Sequence, residues 1–406
     1  MIVKEELIKI VKAQKKEILS ANKSVGREKL EEVKILDSFA IILSGVRRCG
    51  KSTLLRQMIK KVKNFYYFNF EDPIAVNFEL SDFQILEEVF KEEYGESNYY
   101  FLDEVQNIQK WELFVRSMLD RGKYFVITGS NASLLSRELG TRLTGRHLDY
   151  ELFPFSFKEF LKLKEKTPNI RSFQEYFIKG GFPQYLKNED AETLRDLFND
   201  IINRDISARH KVRNLKSLKE MAVYLLTNVG KEFSYNSLKK IFNLGSVNSA
   251  ISFVSFFEDS YMLFIVPKFD YSYKKQVVNP KKIYSIDNGF SGINSASFSE
   301  DKGRMLENLV FINLRRKHKE IFYFQDKGEC DFVVKDRGKI IQAIQVCYHL
   351  TEQNKKRELN GLSEALNKFK LNQGLILTYD QDDHFEIKGR KIRVVPVWKW
   401  LLSPVL

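Results

Sequence analysis

Between Gly45 and Thr53 the chain reads GVRRCGKST, a glycine-rich turn closed by lysine and hydroxyl residues at the spacing G-x-x-x-x-G-K-[ST]. Gly45 and Gly50 let the backbone curl so that its N–H groups, and those of a helix beginning there, converge on a phosphate. Lys51 brings positive charge to the outer phosphates, and Ser52 offers a hydroxyl to Mg²⁺. Gly45, Cys49, Gly50, Lys51, Ser52 and Thr53 are therefore the candidate ATP ligands. The next reactive pair, Asp103-Glu104, closes the run YYFL. Beside a bound phosphate, Asp103 would hold Mg²⁺ through water and Glu104 would orient the attacking water as the base. Asn131, at the end of KYFVITGSN, could touch the γ-phosphate or that water. Arg142 and Arg146, exposed on or after a short helix, are candidates to reach a neighbouring subunit's γ-phosphate.

Such side chains need elements to deliver them. Phe39 to Leu43 is an apolar strand directly before the turn, and the residues after Lys51 carry apolar side chains at helical spacing. Tyr99 to Leu102 reads as a buried parallel strand. In doubly wound sheets ligands sit at the carboxyl ends of the strands, which carries both acids to the phosphates.

A second set of chemical residues lies in the tail. Asp331 opens a strand in GECDFVVKD, a tight turn follows, and the next strand carries Gln345-Val346-Cys347. The helix RMLENLVFINLRRKHKE places Glu307 upstream. In restriction-nuclease-like folds a helix glutamate, a strand aspartate and a Glu-x-Lys pair gather around Mg²⁺; Glu307, Asp331, Gln345 and Cys347 fall in those places. Gln345 replaces a carboxylate with a neutral amide, and Cys347 stands where the lysine belongs, so metal binding and charge stabilisation both suffer. His349, on the same strand face, or a displaced Lys335 or Lys339 could substitute. The expectation is a nuclease skeleton without its chemistry.

Taken together, GVRRCGKST, YYFLDEVQNIQKWE, ITGSNA, LTGR, LFPFSFKEF, NFEDP, IKGGFPQYL and IYSIDNGF resemble the archaeal and bacterial AAA+ ATPases that carry a C-terminal nuclease-like domain of the DUF4143 or DUF234 type. The resemblance runs from about residue 25 onward. It implies an ATPase of the extended, origin-recognition-like AAA+ group, assembling as a ring or other oligomer with ATP between subunits.

The rest of the sequence sets limits. Three cysteines, Cys49, Cys330 and Cys347, lack metal-knuckle spacing and fit a reducing cytoplasm. The amino terminus is charged throughout and no apolar run is long enough to span a bilayer, so a membrane partner is not expected. A formal charge of +13 and a pI near 9.3 favour polyanions. The fold expected is α/β: a helical segment over 1–30, a P-loop AAA+ core with a parallel sheet over 31–160, a helical lid over 161–214, a winged helix-turn-helix over 215–272, and a degenerate restriction-nuclease-like α/β domain over 273–406. In the winged helix, Ser246 to Glu258 would be the recognition helix. It has no Lys or Arg, and the nearby basic residues are Lys239, Lys240, Lys274 and Lys275. The function expected is Mg-ATP hydrolysis by an oligomer, coupled to nucleic acid or to a nucleic-acid-processing protein. The alternatives are an ATP-regulated nuclease and a signalling ATPase that scaffolds proteins only.

Overall fold

The strongest apolar runs of the sequence become the centre of a parallel sheet. The structure, a computed structural model, describes residues 2–20, 24–130, 145–296 and 301–403. Candidates Asn131 and Arg142 lie outside the described residues. The chain divides into two compact units, Met1–Phe153 with Asp259–Tyr261, and Pro154–Glu258 with Met262–Leu406.

In the first unit, β1 (Ala40–Ser44), β2 (Tyr66–Asn69), β3 (Tyr99–Asp103), β4 (Tyr124–Gly129) and β5 (His147–Glu151) form a parallel sheet in the order β2-β3-β4-β1-β5. Every residue of β1 is buried, as a strand covered on both faces requires. Because β4 lies between β1 and β3, the turns that follow all three strands emerge side by side at one edge. The helix Lys51–Ile59 continues straight from the turn after β1.

The amino-terminal helix Lys4–Ser20 is part of this core and not an appendage. Its Leu7, Ile10 and Val11 pack into the same cluster as Ile42, Phe68, Leu102 and Ile127. Its Gln14 clasps the end of β2, donating to the Asn69 carbonyl at 3.1 Å and accepting from the Asn69 N–H at 2.9 Å.

The second unit begins with helices that include Ile170–Lys179, Pro183–Asn188 and Glu192–Asp200. The helices Leu215–Thr227, Tyr235–Ile241 and Val247–Asp259 follow, interleaved with β6 (Glu232–Phe233), β7 (Leu263–Pro267) and β8 (Lys281–Ser285). These strands form an antiparallel sheet in the order β6-β8-β7. The sheet therefore extends past the boundary expected at 272: β8 is its central strand and pairs on both sides. The connection from β7 to β8 contains the short helix Tyr273–Val278.

Beyond it, β9 (Glu320–Gln325), β10 (Glu329–Asp336), β11 (Lys339–Cys347), β12 (Gln373–Thr378), β13 (Asp383–Ile387) and β14 (Arg390–Pro396) form a mixed sheet in the order β13-β14-β12-β11-β10-β9. The helix Glu352–Phe369 lays Leu359, Leu362, Ala365 and Leu366 onto it. The helix Lys302–Arg315 packs against β8 and β11. Among the described residues, no helix is long and apolar enough to cross a membrane.

Candidate functional site

The turn after β1 can only be glycine at its first position. Gly45 has φ near +150°, and a Cβ there would meet the Leu152 carbonyl oxygen at 2.1 Å. Within the turn, the Lys51 ammonium lies 3.1 Å from the Gly45 carbonyl, 3.2 Å from that of Val46 and 3.6 Å from Glu104 Oε1. Lys51 is 4% exposed, so its charge acts in a poorly solvated pocket where it counts for more than at the surface.

β3 delivers the acid pair to this pocket. Thr128 of β4 joins its two members: its hydroxyl donates to Asp103 and accepts the Glu104 N–H at 3.0 Å. Ser52 also hydrogen-bonds Asp103. Burial lifts the Asp103 carboxyl to about 6, with the Glu104 charge adding to it and Thr128, Ser52 and Lys51 opposing. Burial pushes Glu104 upward as well, but Lys51, Gln106 and Arg47 outweigh it and hold that carboxyl below its ordinary value. Two adjacent acids are thus driven apart, with Glu104 kept as the carboxylate. Glu104 also has φ of +52°, a left-handed conformation uncommon outside glycine and one found where function over-determines the backbone. A hydroxyl beside a carboxylate, Ser52 with Asp103, is the hard-oxygen pair that suits Mg²⁺.

Two supporting residues escape a sequence reading. Arg27 lies in the charged amino-terminal stretch, yet it is 3% exposed and donates to the Cys49 carbonyl at 2.6 Å and the Phe153 carbonyl at 2.7 Å. Thr128 was visible only as a lone hydroxyl in the apolar run YFVITG. The Cys49 thiol itself is buried and its pKa raised, chiefly by burial, so the loop position contributes backbone and not sulfur chemistry.

Arg146 is less exposed than expected. It is 29% exposed and pairs with Asp120 at 2.7 Å. Its carbonyl accepts the Ala40 N–H, which fixes it at the amino end of β5. The phosphate turn leaves from the opposite end of β1, roughly 15 Å away at about 3.3 Å per strand residue.

The tail's candidates come together only in part. Glu307 and Asp331 both face a buried lysine, Lys282 of β8, at 2.9 and 3.2 Å, and Glu329 contacts the same ammonium at 2.5 Å. Gln345 lies alongside, accepting the Asp331 N–H at 3.3 Å and donating to Glu358 at 2.7 Å. Cys347 is not among these carboxylates' contacts. It packs in the apolar cluster of the mixed sheet, where Asn354 donates to its sulfur at 3.5 Å, and burial lifts its thiol to about 11.

The expected substitutes do not reach the acids either: Lys335 pairs with Glu320, Lys339 is exposed, and His349 sits against Asp380. The lysine that does reach these acids is Lys282 of β8, 49 residues before Asp331, a proximity that no spacing within one strand could reveal.

Residues 37–161 match the family model AAA_14, described as an AAA domain; 170–296 match DUF8612 and 302–400 match DUF4143, both described as domains of unknown function. An uncharacterized protein of Methanocaldococcus jannaschii, MJ1544, is 36% identical, with 99% of this chain and 97% of that one aligned. The chain belongs to the family that joins an AAA_14 domain to a C-terminal DUF4143 domain. This AAA_14–DUF4143 protein is also similar to an uncharacterized Haemophilus influenzae protein, 30% identical over 90% of this chain and 94% of that one. A solved structure of Drosophila ORC bound to AT-rich DNA and Cdc6 aligns with 71% of this chain and 92% of that one at 12% identity and a TM-score of 0.18. The AAA domain gives the AAA_14–DUF4143 protein a nucleotide-binding module of the AAA type.

Proposed function

We propose that the chain hydrolyses Mg-ATP as an oligomer and couples turnover to nucleic acid or to a partner that processes it. The observation that carries the hydrolytic reading is the convergence of Lys51, Asp103 and Glu104 at the carboxyl ends of β1 and β3, tied through Thr128. Lys51 and the turn would bind phosphate, and Ser52 and Asp103 would hold Mg²⁺, which supplies charge neutralisation at the phosphates. Glu104, kept ionised by Lys51, would accept the proton of the attacking water.

Arg146 would serve a neighbouring subunit, since its own phosphate turn is at the other end of the sheet. Asn131 and Arg142 keep their proposed roles beside the γ-phosphate and at the neighbour's phosphate.

The nucleic-acid reading is supported by the net charge of +13 and by the helix-strand-helix-helix-ribbon order of residues 215–285, the connectivity of a winged helix. Its wing exposes Tyr271 and Tyr273 beside Lys274 and Lys275, a pairing of stacking surface with charge that suits nucleic acid. The helix Val247–Asp259 has no Lys or Arg, so the wing is the favoured contact.

The test is calorimetry and ATP turnover on two variants. Lys51→Ala should lose nucleotide binding, whereas Glu104→Gln should bind and fail to turn over, because Lys51 acts in the ground state and Glu104 only in the chemical step. Equal loss of binding in both would sink Glu104 as the base. Binding of DNA or RNA that weakens with salt would separate this reading from a purely protein-scaffolding ATPase.

A further inference from the structure

The Lys282 ammonium has three N–H donors, and the structure gives it three carboxylates. Glu307, Glu329 and Asp331 stand at 2.9, 2.5 and 3.2 Å from Nζ. Lys282 is 4% exposed, Asp331 6%, and the Glu307 side chain 13%. Two of the carboxylates also accept from a second donor, Glu307 on the same oxygen that faces Lys282. The Tyr284 hydroxyl donates to Glu307 at 2.5 Å, and the Val346 N–H to the second oxygen of Asp331 at 2.8 Å. Gln345, which takes the place of a carboxylate in the nuclease pattern, spends its amide on the Asp331 N–H and Glu358 and offers nothing to the pocket.

The lysine is also rooted. It lies on β8 between Lys281 and Ile283, opposite Glu232 of β6 and Val266 of β7, so its backbone is held by a strand paired on both edges.

We infer that Lys282 is a built-in cation that fills the carboxylate pocket of Glu307, Glu329 and Asp331 in place of a divalent metal and closes this module to metal. The oxygens are spaced for an ammonium and not for Mg²⁺, which draws its ligands in to about 2.0–2.1 Å and asks for about six of them. Among the described residues, no set of three or more His, Cys, Asp or Glu side chains is arranged to hold a metal ion. While the ammonium sits between these carboxylates, a divalent cation entering there has to displace it or meet its repulsion. The acids of the nuclease pattern thus persist as a tie that joins β8 to the helix Lys302–Arg315 and to β10. No residue of the ATP site enters this inference, so it stands or fails apart from the ATPase reading.

Thermal unfolding of the full chain without nucleotide, in chelator and in Mn²⁺, tests it. The wild type should unfold at the same temperature in both. Lys282→Met should unfold lower in chelator and gain at least about 3 °C from Mn²⁺ in a saturable way. Adding Asp331→Asn to that variant should abolish the gain. Saturable stabilisation of the wild type by Mn²⁺ that Asp331→Asn removes would overturn the inference, and this measurement decides even if Lys282→Met does not fold. A folded Lys282→Met that gains nothing from Mn²⁺ would also overturn it. So would metal-dependent cleavage of DNA or RNA by the wild type that is lost in Lys282→Met, since Lys282 would then be a catalytic residue.

Discussion

A single guanidinium braces the phosphate turn from behind. Arg27 donates to the carbonyl of Cys49, inside the turn, and to that of Phe153, while its own N–H is held by Gln57 of the helix that the turn begins. Gln57 in turn donates to the Val25 carbonyl at 2.8 Å, so the strap before Arg27 and the helix after Lys51 fix one another. Arg27→Met keeps much of the volume and removes the donors. Hydrogen bonds to a charged group contribute about 1.5–3 kcal/mol each, and the freed carbonyl of Cys49 lets the turn relax. Nucleotide affinity should weaken about tenfold or more, which is roughly 1.4 kcal/mol, while Glu104→Gln in the same assay leaves affinity in place. Calorimetric titration with ATP checks both, and unchanged affinity in a folded Arg27→Met would remove Arg27 from the site's support. Nothing in the sequence singles Arg27 out: it stands among charged residues without periodicity, and only the burial of its side chain, a tertiary fact, distinguishes it. The residues that the phosphate pattern named are different, since their roles follow from local spacing alone.

At the scale of elements, two motifs that looked separate prove to be one joint. The turn Gly180-Gly181, after the helix Ile170–Lys179, lies against Asp287 at the start of the helix Asn288–Asn294. Asp287 accepts the Gly181 N–H at 2.6 Å and the Phe290 N–H at 3.0 Å on its two oxygens, and a Cβ at Gly180, whose φ is +72°, would collide with the carboxylate. The role is structural, which explains why IKGGFPQYL and IYSIDNGF could be read as a pattern but not assigned chemistry. Asp287→Asn can offer only one acceptor and turns an NH₂ toward an N–H, so it should cost about 1–3 kcal/mol of stability. The pH dependence has a definite sign. Burial raises the Asp287 carboxyl from 3.8 to about 6 despite the backbone donors. The folded state therefore holds the proton more tightly, and this contribution, full below the unfolded pKa, is lost as pH rises through about 6. Thermal unfolding from pH 4 to 7 should show that component in the wild type and not in Asp287→Asn. Elements built on continuous apolar runs, β1, β3 and β4, were legible because local pattern and burial agree. The Lys282 tie and the reach of the three-stranded sheet to β8 were not, because both depend on β8, which pairs with β7 across the helix Tyr273–Val278.

For the whole molecule, the decisive question is whether one subunit completes the site of the next. The sheet fixes Arg146 at the edge opposite its own phosphate turn, so any service to ATP has to cross a subunit boundary. Its present partner, Asp120, does not argue against this. The two side chains are 29% and 57% exposed, and exposed pairs contribute only about 0.2–1 kcal/mol. An arginine that neutralises transition-state charge contributes about 10³ to 10⁵ in rate, or roughly 4–7 kcal/mol off the barrier, so giving up the Asp120 pair is outweighed in the chemical step. Turnover per subunit should rise with protein concentration. Arg146→Ala should lower turnover far more than nucleotide affinity, and Asp120→Asn should not. The sharper measurement mixes two inactive variants. A Lys51→Ala subunit cannot bind its own nucleotide but keeps Arg146, and an Arg146→Ala subunit keeps Lys51; where they adjoin in the right order, one intact site forms. Activity returning on mixing is the expected result. If each variant folds and assembles and the mixture stays as inactive as its parts, Arg146 acts on no neighbour.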